Sequence, residues 1–347
     1  MRPEPHDGAA PRFSPLGALA QLNPFTWATG LFLRGVAELK IPDELARGPR
    51  TSDQVADAVG ADRASMARFL RACVVHGAAQ READGRYTLT DLGQLLRSDI
   101  PSLRGFVIAV NGPGMVRPWE RLAEAVRTGR SATNDVWGVD IHEYYAQHPE
   151  EALAYAESCD VLTIEAAELL SRAYDFARFQ RIVDVGGSRG VLLTRVLKET
   201  PQAGGVLFEL PTVVELARTA LAEHQLRERI ELTAGDFLAE VPTGGDLYLV
   251  KNVISDLADA DAATLLANCL KAAVPDSRLL LVDWVLQPAP SFVDATDIDC
   301  LVLTGGKART PEEYEHLLSG AGYTNISDVP LPGFEAAPMA VIEATRP

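Results

Sequence analysis

The stretch RIVDVGGSRG, Arg181 to Gly190, runs an apolar segment (Ile182, Val183, Val185) into a glycine-rich turn, and VLLTRVLKE follows with helical spacing. A buried strand, a tight turn and a helix N-terminus are the parts of a nucleotide-type cofactor site. Gly186, Gly187 and Gly190 let the backbone approach a ligand closely, and the first turn of the helix offers unpaired N–H donors. Asp184 precedes the turn. Glu209, in LFELP beside Leu210, follows it by about 20 positions, a spacing at which a carboxylate can accept from both hydroxyls of a ribose. Asp236 and Phe237, in AGDF, offer an acceptor for an adenine amine and a ring to cover its face. Lys251, in VKN, is placed to meet a carboxylate. The spacing also fits a dinucleotide, but the turn reads GGSRG rather than GxGxxG, which displaces the second glycine of that fingerprint.

Strand ends must carry these groups. Apolar runs bounded by turn residues predict strands at Arg181–Val185, Gly205–Glu209, Ile230–Ala234, Asp246–Val250 and Arg278–Asp283, with a last pair near Asn325–Asp328 and Met339–Glu343. Helices fall between them. Residues 178–347 are therefore expected to form an α/β Rossmann-like, doubly wound sheet, whose ligands bind outside the carboxyl ends of the strands.

The N-terminal part reads differently. MRPEPHDGAAPRFSP (residues 1–15) is a polar, proline-rich tail without an apolar core. Residues 16–100 predict a mainly α domain. TSDQVADAVG opens with an N-cap at Thr51, ADRASMARFLRACVVHG is amphipathic, and EADGRYTLT places Asp84-Gly85 in a hairpin turn. Helix, turn, helix and hairpin outline a winged helix. The second helix carries Arg63, Arg68 and Arg71 but no dense basic stripe, so dimerisation or structural duty is favoured over DNA binding. Residues 101–177 are expected to be helical, with one helix over Trp119–Gly129 and another from about Pro149 to Tyr174. Their aromatic and polar groups, including Trp119, His142, Tyr145 and Tyr155, suggest a substrate pocket.

Composition bounds the alternatives. The 347 residues carry a formal net charge of −16, which opposes nucleic acid and anionic membranes. No apolar run approaches the roughly 20 residues of a membrane span. Cys73, Cys159, Cys269 and Cys300 are scattered, with neither metal-ligand spacing nor a disulfide pattern, as expected of a cytoplasmic protein that binds no metal.

The ordered set of glycine turn, ribose acid, adenine acid with aromatic, and fourth-strand lysine resembles the class I S-adenosylmethionine-dependent methyltransferases. With WERLAEAVRTG and the closing GGKARTPEEYEHLLSGAGY (Gly305 to Tyr323), it is similar to their plant-type and actinobacterial small-molecule O-methyltransferases. The resemblance implies S-adenosylmethionine bound by Gly186, Glu209, Asp236, Phe237 and Lys251, a homodimer formed through the N-terminal domain, and an aromatic or polyketide-like substrate. It also implies pocket positions at Cys159 and Asp297. Asn252, after Lys251, is a candidate donor to the substrate.

The catalytic positions depart from that family. Its general-base histidine aligns with Ser255 and the following tryptophan with Leu257. The first of two supporting acids is the shorter Asp283, and the second is Ala308. Ionising a phenol of pKa near 10 at pH 7 costs about 4 kcal/mol, and serine takes no proton at neutral pH without a base of its own. Asp256 and Asp283 are the acids that could stand near it, and His142 is a candidate replacement. Methylation driven by proximity and alignment, worth about 7–11 kcal/mol in favourable cases, is one reading. Another keeps S-adenosylmethionine as a fixed positive charge for hydroxylation, decarboxylation or pericyclic chemistry without methyl transfer, and a third is a dead scaffold. Arg189, in the glycine turn, is expected to face solvent or pair with an acid such as Glu209.

Overall fold

A computed structural model describes residues 26–100, 102–330 and 339–347, and the tail expected at residues 1–15 lies outside them. The chain divides into two compact units, residues 1–111 and 112–347.

In the first unit, local punctuation sets each boundary. Thr51 accepts from the Gln54 amide while the Gln54 side chain accepts from the Thr51 amide, a reciprocal cap that starts the Ser52–Val59 helix. Asp62 caps Arg63–Val75, whose Met66, Leu70 and Cys73 turn inward. Strands β1 (Ala79–Arg81) and β2 (Tyr87–Leu89) pair antiparallel across the Asp84-Gly85 turn. These elements share a core with Val36, Ile41, Leu45 and Val55. The outline is the expected helical domain with a wing. Arg63 is paired with Asp57 at 2.7 Å and Arg86 with Asp84, so these basic groups are already engaged.

The second unit holds a sheet of seven strands among the described residues, in the order β5-β4-β3-β6-β7-β9-β8. Strands β3 (Arg181–Val185), β4 (Gly204–Glu209), β5 (Ile230–Ala234), β6 (Leu247–Lys251) and β7 (Arg278–Trp284) are parallel. β9 (Met339–Thr345) runs antiparallel between β7 and β8 (Thr324–Asp328). The central strands are apolar on both faces because helices cover both. Ile182, Val183 and Val185 of β3 are completely buried, as are Leu247 and Val250 of β6. The order reverses between β3 and β6, which opens the binding crevice of such sheets at their carboxyl ends.

One expected helix is two. Pro113–Trp119 ends one residue after Pro118, where the Glu120 and Arg121 amides bond only three residues back. A new helix then runs from Leu122 to Thr128. Pro149–Ala173 is continuous, as expected.

Candidate active site

Four parallel strands bring the cofactor candidates to one edge. The register aligns Val185 with Phe208 and Val250, and Glu209 with Ala234. The groups beyond β5, β4, β3 and β6 thus spread over three strand spacings, about 14 Å. The turn after β3 is backbone-tight. Gly186 (φ +72°) donates its N–H to the Phe208 carbonyl, and a Cβ there would lie 2.6 Å from a Val253 methyl. At Gly187 a Cβ would stand 2.5 Å from both Asp184 Oδ2 and Leu207. Gly190 (φ +87°) then starts the Val191–Glu199 helix.

Glu209 is held by two backbone amides, Ser188 N–H to Oε1 and Leu210 N–H to Oε2, both 2.9 Å. Burial pushes its pKa up, and the Leu210 and Ser188 hydrogen bonds oppose that. Each oxygen keeps lone pairs for a diol. Asp236 Oδ1 caps the Leu238 amide at 2.8 Å, and Phe237 packs half-buried on the sheet core. Asp184 is 1% exposed, and neither of its oxygens has a hydrogen-bond partner of good geometry, although the Leu193 N–H stabilises it somewhat. Burial, then repulsion from Glu209, raises its pKa to about 7 against the pull of Lys251. Desolvation lowers the pKa of Lys251, offset by Cys159, Asp283 and Asp184. A cradle with no room for side chains, an amide-oriented carboxylate and buried acceptor oxygens without donors suit a ligand carrying a diol and a cationic end. S-adenosylmethionine has both.

Arg189 pairs with acids, as expected, but not with Glu209. It reaches the Pro149–Ala173 helix and pairs with Glu157 at 3.3 Å and Asp160 at 3.4 Å. The left-handed Ser188 amide is what meets Glu209 instead.

Beside this edge lies a cavity of about 50 Å³, walled by Met115, Ile141, His142, Tyr145, Tyr155, Asp256, Asp299, Cys300, Leu303 and Thr304. Tyr145 and Tyr155 stack at 5.0 Å. His142 and Tyr145 both line this cavity. Burial pushes the His142 pKa down, although the residue as a whole is exposed at the surface. Asp297 is not in the wall, because its Oδ1 accepts from the Ala308 amide at 2.7 Å. The acid facing the cavity is Asp299, two residues on and so nearly opposite on the Phe292–Leu303 helix, sharing its face with Cys300 and Leu303. Trp119 stays outside the wall but donates Nε1–H to Asp299 at 2.8 Å. Cys159 also lies outside it, near enough to Lys251 and Asp256 for both to act on its thiol, which burial pushes up to about 11. Asn252 sits at φ +52° with its Oδ1 buried and without a partner.

Ser255 is engaged elsewhere. Its hydroxyl donates to Asp283 Oδ1 at 2.7 Å and its amide to Oδ2 at 3.0 Å, while Trp284 N–H completes the set at 2.8 Å. Ser255 is 2% exposed and Asp283 fully buried, and neither lines the cavity. The neighbouring Asp256 does. Burial, then repulsion from Asp283 and Asp299, raises its pKa to about 7. Arg309, also fully buried, fixes this loop: Nη1 donates to the Ile254 carbonyl at 2.7 Å and Nη2 to that of Leu257 at 2.8 Å. The pocket roles of Asp299 and Cys300 and the bracing by Arg309 escaped the sequence reading. The face shared by Asp299, Cys300 and Leu303 was the available signal for the first two.

A family model for the O-methyltransferase domain matches residues 119–324, and one for the O-methyltransferase dimerisation domain matches residues 29–99. The chain belongs to the O-methyltransferase family. The methyltransferase is 35% identical to the 8-amino-8-demethylriboflavin N,N-dimethyltransferase of Streptomyces davaonensis, covering 93% of this chain and 94% of that one. It is 31% identical to the phenazine O-methyltransferase PhzM of Lysobacter antibioticus, covering 97% of each. The crystal structure of the O-methyltransferase NcsB1 from neocarzinostatin biosynthesis, in complex with S-adenosylmethionine and 2-hydroxy-5-methyl naphthoic acid, superposes with a TM-score of 0.79. It is 28% identical and covers 97% of this chain and 100% of that one. The methyltransferase is thus of the S-adenosylmethionine-dependent class. No described helix is long and apolar enough to cross a membrane.

Proposed function

We propose that this enzyme transfers a methyl group from S-adenosylmethionine to a heteroatom of a small aromatic or polyketide-like metabolite, as a cytoplasmic homodimer joined through its N-terminal domain. The observation that carries the reading is the sharing of one sheet edge by the amide-tethered Glu209, the glycine cradle and the tyrosine-walled cavity. When bound, S-adenosylmethionine supplies a methyl group on a positively charged sulfur. Glu209 would hold its ribose hydroxyls, and Asp236 and Phe237 its adenine. Asp184 would accept from its amine and Lys251 meet its carboxylate, with Gly186, Gly187, Gly190 and Leu210 giving the backbone surface. Tyr145 and Tyr155, stacked on one another, would give a flat acceptor an aromatic wall and keep water from it. Ser255 and Asp283 brace the loop that faces the acceptor. Relatives named for flavin, phenazine and naphthoate substrates support an aromatic acceptor.

The test is calorimetric titration with S-adenosylhomocysteine, followed by mass analysis of aromatic hydroxyls and amines incubated with S-adenosylmethionine. Wild-type protein should bind the nucleoside and add one methyl group. Glu209→Ala should weaken binding about 10- to 100-fold, the loss of one or two hydrogen bonds to a charged acceptor. Consumption of the acceptor with the methyl donor left intact would overturn the assignment.

A further inference from the structure

Methyl transfer to a hydroxyl or amine releases a proton, and the position that holds the family's histidine holds Ser255, whose only donor proton is already given to Asp283. We propose that Asp256 accepts that proton, filling the catalytic role from the next residue of the same loop; this rests on the methyl-transfer reading above.

Geometry separates Asp256 from the other proton-holding groups of the cavity wall. Asp299 already accepts from Trp119. Tyr145, Tyr155 and Cys300 are pushed above their ordinary values and stay protonated: burial leads for Tyr145 and Cys300, the nearby Cys159 for Tyr155. His142 belongs to the Ile141–Gln147 helix rather than to the strand edge. Asp256 ends the 3-10 turn Ile254–Asp256 beyond β6, and among the described residues its carboxylate meets a single weak donor, the Cys300 thiol at 3.9 Å. Its other lone pairs are free to accept. The backbone beneath it cannot drift. Arg309 pins the carbonyls on either side at 254 and 257, and Gly306 packs so closely that a Cβ would lie 2.8 Å from the Asp256 Cα.

The step balances. A lone pair of the acceptor oxygen or nitrogen forms the new bond to the methyl carbon. The carbon–sulfur bond breaks and leaves its electron pair on sulfur, which becomes a neutral thioether. The acceptor's O–H or N–H bond breaks, its electrons stay on the heteroatom, and the proton moves to Asp256. A cation and a carboxylate are thereby both neutralised inside the protein, a change favoured where the dielectric is low. Product release lets the acid return its proton to water. The charged and titratable groups facing Asp256 are Asp283 on β7, Asp299 and Cys300 on the Phe292–Leu303 helix, and Tyr155 and Cys159 on the Pro149–Ala173 helix. Burial, reinforced by the acids among them, holds it in the range where it can take and return a proton near neutrality.

Two acceptors test this in wild type and Asp256→Asn: 2-naphthol, which is un-ionised at neutral pH, and 4-nitrophenol, about half of which is already ionised there. Asn should cut kcat for 2-naphthol by about 10²- to 10⁴-fold, the usual worth of a general base, and leave 4-nitrophenol nearly untouched. Asp299→Asn should shift the rising limb of the wild-type pH profile to lower pH. Independently of turnover, infrared difference spectra of the ligand-free protein between pH 5 and 9 should show a carboxylic-acid band in wild type that loses part of its intensity in Asp256→Asn, the remainder belonging to Asp184 and Asp160. Equal losses with both acceptors, or no loss with either, overturn the assignment, as does an infrared band unchanged by Asp256→Asn. Failure of wild type to bind S-adenosylhomocysteine would instead sink the methyl-transfer reading beneath it.

Discussion

Replacing Ser255 with alanine separates two roles for this buried serine. The Ser255 hydroxyl is 2.7 Å from Asp283 Oδ1, and both side chains are shut away from solvent. Its removal leaves Asp283 with the amides of Ser255 and Trp284 and the nearby Tyr314 hydroxyl, and takes away one buried donor. A hydrogen bond to a charged or deeply buried acceptor is worth about 1.5–3 kcal/mol. For a unit of this size each kcal/mol moves the melting midpoint by about 2–4 °C. Ser255→Ala should therefore melt about 3–12 °C lower by calorimetry at pH 7. Turnover with S-adenosylmethionine and an aromatic acceptor, measured well below that midpoint, should fall by less than about threefold, because the hydroxyl faces Asp283 and not the cavity. A loss of 10²-fold or more with an unchanged melting point would place the serine in the chemistry and refute the bracing role.

Asp256→Asn should change stability as well as activity. The folded pKa of Asp256, about 7, lies above its ordinary value of 3.8, so folding favours the protonated form. That contribution is complete below about pH 4 and is lost as pH rises through about 7. The asparagine variant should match wild type in denaturant titrations at pH 4 and exceed it at pH 8, by up to about 4 kcal/mol at 1.36 kcal/mol per unit. Gly187→Ala would push a methyl group against Asp184 and Leu207, each 2.5 Å away. It should cost about 1–3 kcal/mol and abolish calorimetric binding of S-adenosylhomocysteine at micromolar concentrations. Arg189→Ala removes the partner of Glu157 and Asp160, and burial already holds Asp160 at about 6. Denaturant titration should show a loss of about 1–2 kcal/mol at pH 8 and a smaller one at pH 5, where Asp160 takes up a proton.

Strand positions and the cofactor edge were legible because both rest on local chemistry. Apolar runs such as Ile182–Val185 and Leu247–Val250 have one stable environment, a sheet covered on both faces, and Gly186 and Gly190 sit where only a left-handed turn fits. Glu209 followed from its place at the next strand end. The pocket was harder to read, because its walls depend on helix phase and on partners distant in sequence. Asp297 and Asp299 are two residues apart, and only the packing of their helix decides which one faces the cavity. The Trp119–Gly129 segment has helical composition throughout, and its interruption comes from Pro118 just upstream. Arg189 stands in the glycine turn, yet its partners lie about thirty residues earlier on a helix whose approach no local pattern encodes.

The bracing by Arg309 separates the shape of the loop from what its side chains do. Its guanidinium addresses peptide oxygens at 254 and 257 and the Asp259 carboxylate, so the curve of residues 254–259 is set from outside that segment. Residues 255 to 257 can therefore exchange one reactive group for another while the chain path stays put. A lysine at 309 would surrender that freedom, since a single ammonium cannot span both carbonyls as the planar fork does. In this enzyme a basic residue with no part in the reaction is what leaves the reaction open to change.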